Sequence, residues 1–288
     1  MSLVFACVTP HGFSLIPAVS DDAEGGLATR AALEEVGRRS AAAKPDVIVI
    51  ATPHGFRVDG TICLASVARA AGRLDWGGRS VEMNVPVDGA MTDAIADAAQ
   101  ARGVPIAMGG YAGNARHQSS LPMDWGVMVP AWFLGHNTNA VGHGNVLSDG
   151  VETSAPPIVI ASPSRLLPRE SMVEFGTAIA EAAEKDGRRI VFVASCDWGH
   201  RHLESGPYGF HPAAKAVDAI VVDAFKRNDP GSLIDLPEED ARNASIDGLW
   251  QTLMLAGAMK HTPMQGEVLS YEAPTYYGMI VAAFEPIG

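Results

Sequence analysis

The sequence predicts an α/β protein: a single layered domain, residues 1–288, with a largely buried mixed β-sheet flanked by helices and the functional site at the carboxyl ends of the strands. Apolar runs of strand length alternate with longer segments of helical periodicity, which is the pattern of layered α/β folds. The strand-like runs are nearly continuous in apolar residues, as expected when both faces of a sheet are covered. The 288 residues are 47% hydrophobic, enough for a large core.

The first half of the chain opens with an apolar strand at residues 3–8, "LVFACV". Residues 27–43 follow with helical periodicity and many good helix formers, and "DVIVIA" (46–51) is the next predicted strand. Residues 91–103 are predicted to form a helix with Thr92 as its N-cap and Gly103 as its stop. "VPIAMGG" (104–110) is a short predicted strand.

The second half repeats the alternation after a Gly- and Pro-rich stretch. The rest of 104–157 is predicted to form long loops over the site, because it lacks periodicity. The further predicted strands are residues 158–163, 189–195 and 276–286. The further predicted helices are residues 169–187, which end in glycine, 212–229 and 244–261.

Composition narrows the function classes. The net charge is −12 and no Lys/Arg run is longer than two, which argues against a surface that binds nucleic acid. The three cysteines form no CxxC pair, which favours a reducing compartment. No apolar run approaches the roughly 20 residues of a membrane span, and no signal peptide is recognisable. We therefore expect a cytoplasmic protein that binds neither nucleic acid nor membrane.

The tetrapeptide "TPHG" occurs twice, at residues 9–12 and 52–55, each time directly after a predicted strand. Ligands of open α/β sheets bind outside the carboxyl ends of strands, so His11 and His54 can converge if their strands are neighbours. The proline presets the backbone before each imidazole, and the glycine after it permits a sharp turn. The competing interpretation is that each "TPHG" is an ordinary turn with no functional role for its histidine. Two copies at equivalent strand ends disfavour that interpretation.

A third strand end carries similar chemistry. "VASCDWGHRH" leaves the predicted strand 189–195 and brings Asp197, His200 and His202 to the same edge. Acidic residues follow further on, with a Glu238–Asp240 run and then Asp247 in the predicted helix 244–261. Helix capping explains Asp247 equally well, and a solvated turn explains the acidic run.

Taken in order, these segments resemble the class III extradiol ring-cleavage dioxygenases, the superfamily of the protocatechuate 4,5-dioxygenase large subunit and homoprotocatechuate 2,3-dioxygenase. The resemblance rests on the two strand-end histidines, "VASCDWGHRH", "PYGFHPAAKAVD" and "DGLWQTLMLAGAM", and covers residue 3 to about residue 284. It implies that His11 and His54 are iron ligands and that His200 is the acid/base.

The resemblance departs at the third ligand. Ile246 stands where the family has a glutamate, so the adjacent Asp247 is the first choice for the carboxylate and Glu239 the second. Trp125 stands where the family often has histidine, and with Tyr208 and His211 it is a candidate substrate contact. A carboxylated substrate needs a basic partner, for which Arg57, Arg116 and Arg201 are candidates.

Two imidazoles and one carboxylate are the ligand set of non-haem Fe(II) oxygenases. The family resemblance implies that Fe(II) and dioxygen cleave a catechol or aminophenol to a ring-opened semialdehyde, in aromatic compound catabolism. It also implies a small aromatic diol substrate, a homodimer or higher oligomer, and in some relatives a small accessory subunit. Open alternatives are a zinc hydrolase on the same site and a non-catalytic binding or redox relative. A serine hydrolase is disfavoured, since Ser162 and Ser195 lack a G-x-S-x-G context.

Overall fold

A computed structural model describes residues 2–21, 25–139 and 153–287. Its strands are β1 (Leu3–Thr9), β2 (Val47–Ala51), β3 (Ile62–Ala65), β4 (Arg69–Trp76), β5 (Arg79–Pro86), β6 (Ile106–Gly109), β7 (Ser120–Pro122), β8 (Ile158–Ser162), β9 (Ile190–Ser195), β10 (Met264–Glu272) and β11 (Met279–Pro286). Its α-helices are α1 (Leu27–Ala42), α2 (Gly89–Ala101), α3 (Trp125–Phe133), α4 (Arg169–Asp186), α5 (Ala213–Lys226), α6 (Glu238–Ala244) and α7 (Leu249–His261).

The described strands form a large mixed sheet and a small one. The large sheet has the order β10-β11-β1-β9-β2-β8-β3-β6. Its four central strands, β1, β9, β2 and β8, are mutually parallel, whereas β11 and β3 pair antiparallel on either side of them. The small sheet has the order β5-β4-β7. This architecture confirms the predicted α/β fold with a mixed, flanked sheet.

The central sheet is buried on both faces because alternate side chains of each strand enter different cores. On β2, Val47 and Val49 pack with α2, α4, α5 and α7, while Ile48 and Ile50 pack with α1, α3 and the small sheet. The apolar runs in the sequence are therefore continuous because the side chains of one strand pack alternately into two hydrophobic cores, one on each face of the sheet. No described helix has both the length and the apolar character that a membrane span requires.

The structure corrects the predicted helix 244–261. The chain forms α6, then turns at Ser245 with a φ of 54°, and starts α7 only at Leu249. Asp247 therefore lies in the connection between two helices and not in a first helical turn. The break matters because the connection contacts the end of β9, where Asp247 accepts the Asp197 N–H.

Other differences concern the first half of the chain and the end of the last strand. Asp88, not Thr92, caps α2, since the Asp88 carboxylate accepts the Met91 N–H at 2.7 Å. The sequence did not predict five of the strands, which are β3, β4, β5, β7 and β10. It also did not predict α3, which lies inside the segment predicted to form loops. The last strand begins at Met279 and not at residue 276. Part of that loop prediction, residues 140–152, lies outside the described residues.

Candidate metal centre

Four adjacent parallel strands end at one edge of the sheet and deliver the polar groups of the site. β1 leads to His11, β9 to Asp197 and His200, β2 to His54, and β8 to Arg165. β9 lies between β1 and β2, so the strands of the two "TPHG" segments are not neighbours. Their imidazoles meet across the end of β9, which places the β9 residues in the same site.

The structure brings His11, His54 and Asp247 together. The Nε2 atoms of His11 and His54 are 3.3 Å apart. The Oδ2 atom of Asp247 lies 3.5 Å from the first and 3.8 Å from the second. One ligand atom from each residue thus falls within 4.8 Å of the other two, the only such grouping of His, Cys, Asp or Glu among the described residues.

His11 is held through its ring and through its backbone. Its Nδ1 lies 3.0 Å from the Ser195 hydroxyl, and its backbone N–H donates to Asp197 Oδ1 at 3.1 Å. A hydrogen bond at Nδ1 leaves Nε2 free to act as a ligand and fixes the ring orientation. Gly12 is required because a Cβ there would lie 2.0 Å from the hydroxyl oxygen of Tyr277.

His54 is positioned through its own turn. Its backbone N–H donates to the Thr52 hydroxyl at 3.2 Å, and that hydroxyl donates to Asp124 at 2.8 Å. Gly55 has a φ of 83°, which only glycine adopts without strain, so the two "TPHG" glycines serve different purposes. Trp125 packs on the imidazole, with ring centroids 4.2 Å apart.

Asp247 reaches the cluster because the α6–α7 connection docks on the end of β9. Its Oδ1 accepts the Asp197 N–H at 2.9 Å, which turns Oδ2 toward the imidazoles. One residue later, the Gly248 carbonyl accepts the Cys196 thiol at 3.3 Å. A side chain at 248 would meet Cys196 at 2.6 Å, so glycine permits this close approach.

The charges of the cluster favour a bound cation. Burial lowers the pKa of His11, but the negative charges of Asp197 and Asp247 outweigh it and raise the value to about 9. Burial, followed by the charge of His11, lowers the pKa of His54 to about 4. Burial raises the pKa of Asp197. Burial would also raise the pKa of Asp247, but the positive charge of His11 outweighs this effect and lowers the pKa of Asp247. The acidic pair therefore holds a positive charge at His11 even at neutral pH.

The three residues fit a metal ion. Ligands bound at about 2.1 Å to one ion lie about 3–3.5 Å apart, close to the separations of 3.3, 3.5 and 3.8 Å seen here. Two imidazoles and one carboxylate suit Fe(II) or Zn(II) better than Mg²⁺ or Ca²⁺, which prefer oxygen ligands. The ligand roles of the three residues stay predictions, since the geometry shows only that a shared ion fits.

His200 lies beside the cluster. Its Nε2 is 3.8 Å from Asp247 Oδ2, and its ring stacks on Tyr277 with centroids 5.8 Å apart. Its Nδ1 is buried and has no hydrogen-bond partner among the described residues. The loop that carries it is anchored by Asp218, which accepts the Gly199 N–H at 2.8 Å and lies 2.8 Å from the His202 ring.

A cavity of about 580 Å³ opens over the cluster. Trp125 and Tyr208 line it, as a substrate contact must. His211 is absent from the lining of this cavity, and its Nδ1 accepts the Ala213 N–H at 3.1 Å at the start of α5. Glu239, the second choice for the carboxylate, lies outside both the cavity lining and the group formed by His11, His54 and Asp247.

Sequence reasoning assigned no role to several groups at the site. They are Asp197, Arg165, Arg242, Trp250 and Tyr276, all of which line the cavity. Asp197 Oδ2 is 3.3 Å from His11 Nε2, which makes it the second carboxylate of the centre. The signal for Asp197 and Arg165 was present, because each follows a predicted strand within three residues of its end.

Comparisons with known proteins agree with this architecture. The family described as the catalytic LigB subunit of aromatic ring-opening dioxygenase matches residues 5–282. A curated protein of Clostridium acetobutylicum is 26% identical over 287 residues, and the chain spans 58% of that protein's length. A solved structure of an uncharacterized protein from Escherichia coli superposes with a TM-score of 0.63 over 97% of this chain and 99% of that one, at 14% identity, and so supports the fold alone.

The family match extends over nearly the whole chain and includes all four strand ends that build the centre. It confirms the resemblance to ring-cleavage dioxygenases drawn from the strand-end histidines. The chain therefore belongs to the family of the catalytic LigB subunit of aromatic ring-opening dioxygenases.

Proposed function

We propose that residues 1–288 act as one catalytic domain that cleaves a catechol or aminophenol ring next to its paired oxygen substituents, using Fe(II) and dioxygen and releasing a ring-opened semialdehyde. The observation that carries the proposal is the convergence of His11, His54 and Asp247 at one end of a cavity that His200 also faces. Membership of a ring-opening dioxygenase family supports the reaction class.

His11, His54 and Asp247 would hold the ion through Nε2, Nε2 and Oδ2. When bound, Fe(II) supplies the open positions at which a catecholate and dioxygen meet and lowers the pKa of a coordinated hydroxyl. The protein supplies orientation, because Ser195, Thr52 and the Asp197 N–H fix the two rings and the carboxylate before any substrate enters.

His200 is the group placed to move protons. It reaches the ligand cluster through Nε2 yet falls outside the three-residue ligand group, so it remains free for the substrate. A neutral Nε2 accepts the proton of the second substrate hydroxyl and returns it as the ring opens. Tyr277 stacks on the ring and keeps Nε2 directed at the cavity.

The cavity wall favours a flat aromatic guest. Trp125, Tyr208 and Tyr276 all line it with aromatic rings, and the rings of Tyr208 and Tyr276 lie 6.2 Å apart. Ile246 is 3% exposed and lies in the lining beside Asp247, so the glutamate position of the family is apolar in this chain.

Anaerobic reconstitution with Fe(II) or Zn(II), followed by a panel of catechols and 2-aminophenols, tests the proposal. We expect the iron form to bind a catechol and, on admission of oxygen, to produce a ring-opened product visible by absorbance; the zinc form is the matched inactive control. An iron form that binds no member of the panel contradicts the proposal. Tightly held zinc with ester or amide hydrolysis would favour the hydrolase alternative.

A further inference from the structure

We propose that Asp218 is a positioning residue for His200: it is buried outside the cavity, ties together the two loops that place His200, and so sets the direction of the imidazole. The inference rests on the proposed function, because it takes His200 as the group that moves protons. It adds to the reaction a residue that belongs neither to the cavity lining nor to the metal-ligand group.

Asp218 is the acceptor of a small buried network. It lies on α5 and has no exposed surface. Its Oδ1 accepts the Gly199 N–H at 2.8 Å, and its Oδ2 lies 2.8 Å from Nε2 of His202. Oδ2 also accepts the Tyr271 hydroxyl at 3.0 Å. Burial, followed by the charge of Asp218, raises the pKa of Tyr271, so this hydroxyl keeps the proton that it donates. A buried carboxylate is costly unless donors satisfy it, and these three groups do so.

The first loop that Asp218 holds is the one that carries His200. Gly199 directly precedes His200, so its bond to Asp218 fixes the backbone at the base of the imidazole. A Cβ at position 199 would lie 2.7 Å from the Ala214 Cα, so the loop lies directly against α5. The His200 N–H donates to the Ala244 carbonyl at 2.8 Å. The backbone around His200 is therefore held between α5 and the end of α6.

The second loop precedes β11 and carries Tyr277, whose ring stacks on His200. A Cβ at Gly278 would overlap Asp218 Oδ2, so the backbone of this loop packs directly against the carboxylate. The Gly278 N–H donates to the Gly199 carbonyl at 3.0 Å. One carboxylate thus contacts both loops at the point where they are joined to each other.

His200 depends on its backbone and on ring stacking for its direction. Its Nδ1 is buried and has no hydrogen-bond partner within the described part of the chain. His11 differs, because its Nδ1 lies 3.0 Å from the Ser195 hydroxyl. Acid/base histidines are usually oriented by a partner at the second ring nitrogen. In place of such a partner, the two loops joined at Asp218 fix the ring of His200.

The variant Asp218→Asn tests this role, because it keeps the volume of the side chain but cannot accept all three bonds. We expect the Fe(II)-loaded variant to lose about 10–100-fold in kcat, since a misplacement of about 1 Å can cost about 100-fold. Iron content and anaerobic catechol binding should match the wild type, because Asp218 lies outside the cavity lining and the metal-ligand group. Asp223→Asn, an exposed carboxylate on the same helix, is the matched control and should keep full turnover.

A double-mutant cycle separates positioning from a general structural role. If Asp218 acts through His200, the double variant His200→Phe/Asp218→Asn turns over no more slowly than His200→Phe alone. A further loss in the double variant overturns the inference. If Asp218→Asn does not fold, His202→Leu removes a single partner of the carboxylate and should lower kcat in the same way. His202→Gln keeps an N–H donor and should recover most of that loss.

The metal-free protein gives a second readout that does not depend on ring cleavage. With isotope-labelled histidine, the ring signal of His200 is identified by its loss in His200→Phe, and the ring current of Tyr277 should displace it in the wild type. We expect Asp218→Asn to move this signal toward that of an unstacked histidine and Asp223→Asn to leave it in place. An unmoved signal in Asp218→Asn overturns the inference, whereas a wild-type protein that cleaves no ring refutes the proposed function instead.

Discussion

Replacing Asp247 by asparagine removes one negative charge from the centre while keeping its shape. Asparagine retains an oxygen that accepts the Asp197 N–H, so the α6–α7 connection should stay in place. Asp247 Oδ2 lies 3.5 Å from His11 Nε2, and a unit positive charge at that distance interacts with it by about 4–5 kcal/mol at an effective dielectric constant of about 20.

An ion shared by the cluster lies no farther from Asp247 than the imidazole does. Part of the Coulomb term is offset because the neutral amide is easier to desolvate than the carboxylate. We therefore expect Asp247→Asn to weaken metal binding by at least about 100-fold, a change of about 3 kcal/mol.

Competition with a calibrated chelator measures the affinity, and thermal unfolding of the metal-free protein shows that the variant is folded. Glu239→Gln is the matched carboxylate-to-amide control, since Glu239 lies outside the cluster, and its affinity should equal that of the wild type. Unchanged metal affinity in Asp247→Asn, or a loss in Glu239→Gln, would refute the assignment of the third ligand.

Three further predictions follow from the geometry. The metal-free protein should lose up to about 3 kcal/mol of unfolding free energy between pH 6.5 and pH 9, because the pKa of His11 is raised to about 9 and its stabilising proton is lost in that window. His54, with a pKa of about 4, is neutral throughout this window. Denaturant titrations of the wild type and of His11→Asn measure the loss, and an equal pH dependence of the two proteins contradicts it. His200→Phe should keep the metal but lose about 10²–10⁴-fold in turnover, as removal of a general base does, and steady-state rates near the wild-type value exclude that role. Gly12→Ala should destabilise the protein by about 1–3 kcal/mol, because its Cβ would lie 2.0 Å from the Tyr277 oxygen, and an unchanged unfolding midpoint is inconsistent with the observed packing.

The strand ends were predictable because apolar runs and the polar groups that follow them are local features. His11, His54 and His200 were found by this rule, and the structure places all three at one cavity. Arg165 follows the predicted strand 158–163 in the same way, so the same rule places it at this edge of the sheet. Gly77 and Gly78, with φ of 56° and 76°, make the two-residue hairpin between β4 and β5, and this Gly-Gly pair is a local signal for a tight turn.

The remaining features depend on contacts that no local pattern encodes. The insertion of β9 between β1 and β2 is a property of the sheet order, and it alone explains why Asp197 approaches His11. The location of Asp247 depends on the break at Ser245. Ser245 has a left-handed backbone conformation, but it is not a glycine, so the sequence gives no signal for a break at this position. The predicted helix 244–261 therefore included the connection that precedes α7, and the acidic residues assigned to a solvated turn form the first turn of α6 instead.

The central claim is that one ion binds jointly to His11, His54 and Asp247 on the floor of the cavity. The most direct test is a crystal structure of the anaerobically Fe(II)-loaded protein with anomalous data recorded at the iron edge. The account predicts a single strong peak within bonding distance of both Nε2 atoms and of Asp247 Oδ2, with His200 unbound beside it. A peak at another set of side chains, or imidazoles of His11 and His54 that share no ion, would contradict it.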